Sequence, residues 1–356
     1  MTIRQVGFDL DGSPRIGLAL GSGSARGLAH FGVIRAIEEA GIKVDFIAGT
    51  SIGALVGAVY AAGRVDALET TFRGLDWRKT LSLFDVVLPK SGLLDGAKLS
   101  ELVHTHIHVK TLEALPKLFH AVATDMLSGE EVVIRSGDIT EAVRASSSVP
   151  GIFTPVRSNG RLLVDGGLVN PVPVSAVRAM GADIIIAVDV NHHMISGNKV
   201  MPAPKDNPAG GTDKISSMFS RWVGDHASSI TDIKQRLLAR GAPASAQFAR
   251  WAASEQALPG IFDVLLASIN IMEARITQSQ LRSSRPEIII RPPLGQIRFL
   301  EFARAEEIIA IGYESARQQL AERLPELLRA YPKTRQLRRQ AARKKAIGDP
   351  SVASLL

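Results

Sequence analysis

Over the first two-thirds of the chain, short apolar runs alternate with stretches of helical periodicity. This is the pattern of strands joined by crossover helices, and it predicts a mostly parallel sheet. Arg15–Leu20 reads as a strand that passes through a Gly/Ser loop into a helix carrying Leu28, Phe31, Val33, Ile34 and Ile37 and ending at Gly41. Val44–Ala48 is the next strand, turning sharply at Gly49–Gly53 into a helix of small residues that reaches Ala62. Further strands are expected at Leu118–Ala123, Glu131–Arg135, Arg161–Val164, Asp183–Val190 and Glu287–Arg291. Helices are expected near Asp66–Leu75, Leu99–Thr105, Ile139–Ala145, Val174–Met180, Ile261–Leu281 and Ala303–Leu328.

The pattern divides the chain into five stretches. Residues 1–14 form an N-terminal segment, and 15–193 an α/β core. Residues 194–260 are a variable insertion, beginning with the Gly/Pro/Asn-rich loop of Met194–Gly211. Within it, Lys214–Gln256 carries Ile215, Met218, Phe219, Trp222 and Val223 at helical spacing, with Trp251 further on. It reads either as a helix packed on the body or as a lid or membrane-facing flap, since aromatics on an amphipathic helix suit a lipid interface. Residues 261–330 supply a helix, a strand and a helix that complete the fold, and 331–356 a basic tail expected to be mobile.

Composition excludes several classes. Hydrophobic residues make up 46% of the 356, enough for a large core and too many for a disordered chain. With no cysteine there is no disulfide, thiolate metal site or cysteine nucleophile. Of the formal charge of +7, all but +1 resides between Tyr331 and Leu356, where seven Lys and Arg face Asp349 alone. The body is therefore nearly neutral and no nucleic-acid partner is expected, although such a tail can contact anionic lipid. The N-terminus lacks the apolar stretch of a secretory signal. Phe46–Gly63 is uncharged over 18 residues, but glycines at 49, 53, 57 and 63 favour a strand running into a buried helix over a membrane span. The expected location is cytoplasmic, with contact at a membrane surface.

Candidate chemistry starts at Gly49-Thr50-Ser51-Ile52-Gly53. A serine between glycines, at a strand's end and a helix's start, has the form of a nucleophile elbow; the glycines permit the tight turn that projects the hydroxyl above the sheet. The amides of the helix N-terminus offer positive potential to a developing oxyanion. Gly21-Ser22-Gly23-Ser24-Ala25-Arg26-Gly27 also joins a strand to a helix. Its amides can form an anion-binding nest. As a dinucleotide fingerprint it fails at the sixth position, Arg26, with Gly27 one place late. An oxyanion loop facing a serine on the neighbouring strand fits without adjustment.

The serine needs a proton acceptor. None of the histidines at 30, 104, 106, 108, 120, 192 and 193, nor His226, stands out. Asp165 closes the apolar run Arg161–Val164 and is followed by Gly166 and Gly167, so its carboxylate is expected at the sheet edge. Asp-Gly-Gly can also be an ordinary turn. Phe8-Asp9-Leu10-Asp11-Gly12-Ser13 has the outline of an aspartate-based phosphatase motif, but Met1–Gly7 makes a poor core strand for it.

The order of Gly-rich loop with Arg-Gly, Gly-Thr-Ser-Ile-Gly and Asp-Gly-Gly resembles the patatin-like phospholipases. Ala145-Ser-Ser-Ser-Val-Pro-Gly151 and Asp165-Gly-Gly-Leu-Val-Asn-Pro-Val-Pro173 resemble that family's bacterial members, and Pro286–Ala305 its branch related to neuropathy target esterase. The resemblance implies a three-layer αβα fold with a mostly parallel central sheet and a helical C-terminal extension. It implies a Ser-Asp dyad in which Ser51 attacks an acyl ester and Asp165 takes its proton. The oxyanion loop would comprise Gly21, Ser22, Gly23, Ser24, Arg26 and Gly27, with Arg26 bracing it. Phospholipids or lysophospholipids are the implied substrates, with no cofactor or metal. Many members carry consecutive glycines where this chain has Ser22 and Ser24, which leaves the donor pair open. Two other readings stand beside this one: a nucleotide-binding module using Gly21–Gly27, and a catalytically silent membrane-recruited adaptor.

Overall fold

The computed structural model describes residues 13–75, 95–194 and 261–346. In chain order the described elements are β1 (Ile16–Leu20), α1 (Ala29–Glu39), β2 (Val44–Thr50), α2 (Ile52–Ala61), α3 (Val65–Arg73), α4 (Ala97–His106), β3 (Leu118–Asp125) and β4 (Glu131–Ile134). There follow α5 (Ile139–Ser146), β5 (Val156–Ser158), β6 (Arg161–Asp165), α6 (Val174–Ala179), β7 (Ile184–Val188), α7 (Ile261–Ser284), β8 (Ile288–Ile290) and α8 (Ala305–Ala346).

The strands form one mixed sheet. β3, β2, β1, β7 and β8 run parallel in that order, while β4, β5 and β6 join as antiparallel pairs at the β3 end. The central strands are buried on both faces, which is why they read as continuous apolar runs. Leu18, Leu20, Ile186 and Val188 face a large cluster built with α1, α2 and α8. Their neighbours Ala19, Ala48, Ile185 and Ala187 face the other way, against Val174 and Val177 of α6 and Leu281 of α7. Helices thus cover both faces, giving the three-layer αβα fold. All ten residues of α2 are buried, as an all-round apolar helix requires.

On the first face α1 and α8 cross at backbone contact. A Cβ on Gly32 would stand 2.0 Å from Ile309 O, and one on Gly312 would stand 2.2 Å from Ala29 O, so only glycine fits at either position.

The structure departs from the sequence expectation in two places. The short strand β5 is paired with β6 as a hairpin around Asn159-Gly160, both with positive φ. The helix expected to stop at Leu328 continues to Ala346, so residues 331–346 of the basic tail are helical. Its Arg, Lys, Gln and Ala residues are strong helix formers whatever their charge. The Phe8–Ser13 motif up to Gly12, most of the 194–260 insertion with Trp222 and Trp251, and the last ten residues lie outside the described residues.

Candidate active site

Ser51 stands between β2 and α2 with φ 58° and ψ −124°, a conformation rare for a residue with a side chain. The turn is held by close approach on either side. A Cβ on Gly49 would stand 2.2 Å from Gly53 O, and one on Gly53 the same distance from Leu20 O. The Ser51 amide donates to Ser146 Oγ at 3.0 Å, and Ser146 Oγ donates in turn to Val122 O.

Sheet register brings Ser51 to Asp165. Along β3, Ala121 and Val122 pair with β2 on one edge and β4 on the other, the β2 ladder ending at Thr50 opposite Val122. At Ala123 and Thr124 the β4 edge continues while β6 takes the other, starting with Asp165 opposite Ala123. β2 and β6 therefore meet head to head on the same edge of β3. Ser51 Oγ donates to Asp165 Oδ2 at 2.6 Å. Gly167 N donates to Oδ1 at 2.7 Å, the Asp165 amide donates to Ser148 O at 2.9 Å, and Thr124 Oγ1 donates to the Asp165 carbonyl at 2.8 Å. Burial raises the Asp165 carboxyl to about pKa 6, against the opposing hydrogen bonds from Ser51 and Gly167. Among the described residues no histidine bonds to either side chain.

The glycine loop lies over the first turn of α2. Gly21 N is engaged by Val188 O at 3.2 Å and Ser22 N by Pro171 O at 2.8 Å, so neither amide faces the serine. The amides of Gly23 and Ser24 make no hydrogen bond within the described structure, and Ser24 lines the cleft that contains Ser51. Arg26 is buried behind the loop, its guanidinium donating to Ile297 O and Asn270 Oδ1. It therefore braces the loop and does not point at the serine. Gly27 packs on the residue after Ser51: a Cβ there would stand 2.1 Å from Ile52 Cγ2. His30 lies fully buried beneath, its Nε2 2.8 Å from Gly21 O. Burial lowers its pKa to about 4, so the ring is neutral and donates to that carbonyl.

An open cleft leads away from Ser51. Its walls are apolar, among them Leu55, Phe72, Leu102, Ile152, Phe299 and Phe302, and Phe72 stacks on Phe302 with ring centroids 6.0 Å apart. Arg144 shapes one wall. It donates to Ser148 Oγ and Thr154 O and lies 5.1 Å from the Phe153 ring centroid.

Four side chains around this site were not singled out by the sequence reading. Ser146 and Arg144 sit at the end of α5, in and beside a stretch noted only for its resemblance. Asn191 follows β7, and Glu273 projects from α7 into the buried space beside the glycine loop. The last could have been suspected from Asn270, Glu273 and Thr277, a polar stripe at helical spacing; all three are buried.

A model of the patatin-like phospholipases matches residues 18–178, which include the loop, Ser51 and Asp165. An uncharacterized NTE family protein of Mycobacterium tuberculosis (strain ATCC 25618 / H37Rv) is 34% identical over 340 residues, covering 86% of this chain and 92% of its own. The chain belongs to the patatin-like phospholipase family, among its NTE relatives. A second NTE family protein of that strain is 30% identical over 321 residues, covering 88% of this chain and 48% of its own. Mouse patatin-like phospholipase domain-containing protein 6 is 37% identical over 182 residues, 49% of this chain and 13% of that much longer protein. Membership makes this a protein of a lipid-hydrolase family. No described helix is long and apolar enough to cross a membrane.

Proposed function

We propose that this family member is a serine acyl hydrolase that cleaves fatty-acyl ester bonds of phospholipids or lysophospholipids. The observation that carries the reading is the 2.6 Å hydrogen bond from Ser51 Oγ to Asp165 Oδ2, at the head of an apolar cleft that is also lined by Ser24, whose amide is unengaged.

In this reading Ser51 Oγ attacks the ester carbonyl while its proton passes to Asp165 Oδ2. The negative charge that develops on the carbonyl oxygen is held by the amides of Gly23 and Ser24, fixed donors that need no reorganisation. Collapse breaks the ester bond, and the departing alkoxide takes the proton from Asp165. Water then attacks the acyl-Ser51 ester, giving its proton to Asp165, and the fatty acid leaves as the Ser51 hydroxyl is restored. A carboxylate raised to about pKa 6 is ionised at neutral pH yet closer in basicity to its task than an ordinary aspartate. The cleft wall of Leu55, Phe72, Leu102 and Phe302 suits an acyl chain.

A nucleotide has less to bind. The loop spends its Gly21 and Ser22 amides on the protein itself, and the adjoining cleft offers hydrocarbon in place of ribose partners. The substrate would be drawn from a lipid surface, with the protein on the aqueous side. Fluorophosphonate labelling of the full chain, with mapping of the adduct and a chromogenic acyl ester as substrate, tests the assignment. An adduct on Ser51 that disappears with esterase activity in Ser51→Ala is expected. Undiminished labelling and hydrolysis by that variant would end it.

A further inference from the structure

The site contains a second carboxyl group for which the mechanism above has no use. Glu273, on α7, is 6% exposed and reaches three segments of the site. Its Oε2 accepts from Ser22 Oγ of the glycine loop at 2.9 Å and from Asn191 Nδ2 at 3.1 Å, and Asn191 Nδ2 also donates to Ser22 O. Its Oε1 lies against the turn after β6. The point where a Cβ on Gly167 would stand is 2.1 Å from Glu273 Oε1 and 3.0 Å from Asp165 Oδ1. The two carboxyl oxygens are thus no farther apart than those distances together, within the range where like charges suppress one another's ionisation.

We propose that Glu273 is a positioning residue which shares one proton with Asp165, holding it on Oε1 through the working pH range so that Asp165 alone carries the negative charge, and which in that neutral state ties the glycine loop to the turn after β6. The inference rests on the reading of Asp165 as proton acceptor.

The hydrogen bonds decide which group keeps the proton. Asp165 receives a donor on each oxygen, from Ser51 and from Gly167 N, and both favour its charged form. Glu273 receives both of its donors on Oε2, leaving Oε1 with none among the described residues. The facing charged groups are Asp165 and Arg26, and Arg26 spends its terminal nitrogens on Ile297 O and Asn270 Oδ1 without forming an ion pair to Glu273. Two ionised carboxylates buried this close would be more costly than one neutral and one charged. In agreement, burial first and the Asp165 charge second raise Glu273 to about pKa 8.

Glu273→Gln isolates this role, because the carboxamide keeps an acceptor for Ser22 and Asn191 and places N–H donors where the proton sits. For the wild-type full chain, kcat/KM against pH on a chromogenic ester is expected to form a bell: it rises as Asp165 ionises and falls as Glu273 does. Glu273→Gln should retain at least roughly a third of the optimum and the acid limb, while the alkaline limb disappears. An unchanged alkaline limb would overturn the proposal. Infrared difference spectra of the wild type between pH 7 and pH 10 serve if the variant does not fold. Loss of a protonated-carboxyl stretch supports the proposal, and its absence at pH 7 refutes it. If Asp165→Asn stays active, the acceptor reading itself fails. If Asp165→Asn is dead and Glu273→Gln is indistinguishable from wild type at every pH, only the role of Glu273 fails.

Discussion

Thr50 and Asp165 occupy successive places on one edge of β3, opposite Val122 and Ala123. One strand pairs with two others end to end, and the junction is where Ser51 meets its carboxylate. The serine's approach to Asp165 is thus set by backbone ladders, which are stiffer than the loops that carry many sites.

Removing either partner should therefore abolish turnover without unfolding the protein. Ser51→Ala is expected to lower kcat/KM by at least about 10³-fold, and Asp165→Asn by a similar factor, since an amide cannot accept the proton. Steady-state kinetics beside thermal melts of each variant would check this; an Asp165→Asn enzyme within tenfold of wild type would contradict it.

Acid should silence the enzyme through Asp165. Its proton affinity is raised, to about pKa 6, so the carboxylate proposed as acceptor is filled as pH falls through that value. Below it, kcat/KM is expected to drop about tenfold per pH unit, well before ordinary aspartates protonate. A flat profile down to pH 4.5 would show that another group limits the rate.

Ser24 is expected to matter through its amide, not its hydroxyl. Its φ of 50° is one that glycine adopts freely. Ser24→Gly should hold kcat/KM within roughly threefold, under 1 kcal/mol, and leave stability equal or improved. A large loss would give the hydroxyl a part in the chemistry.

Chain-length preference should follow the cleft wall. Leu102→Trp places a large ring among the lining residues. The ratio of rates on butyrate and dodecanoate esters is expected to rise at least about tenfold, as each lost methylene contact is worth about 1–3 kcal/mol. An unchanged ratio would place the acyl chain elsewhere.

Much of this was legible in the sequence because it is local. The elbow and the glycine loop are short segments whose strand–turn–helix context the apolar runs announce, and Asp165 ends a strand visible as Arg161–Val164. The register that joins them was not legible, since nothing in β2 or β6 alone says that both will use the same edge of β3. Nor was it legible which amides of the loop stay unengaged. Gly21 and Ser22 look as available as Gly23 and Ser24 until Val188 and Pro171 claim their amides. Glu273 was hidden for a third reason: it comes more than a hundred residues after Asp165, on a helix whose buried polar stripe gains meaning only once that helix lies across the loop.

The crossing of α1 and α8 through Gly32 and Gly312 has a consequence for anyone who trims the protein. The stretch that matches the family model ends at residue 178, ahead of β7, β8, Glu273 and α8. A fragment cut there would strip the long helix from α1, bare the open side of β1 and leave Ser22 without its carboxyl anchor. The packed fold is therefore far larger than the signature that betrays its family.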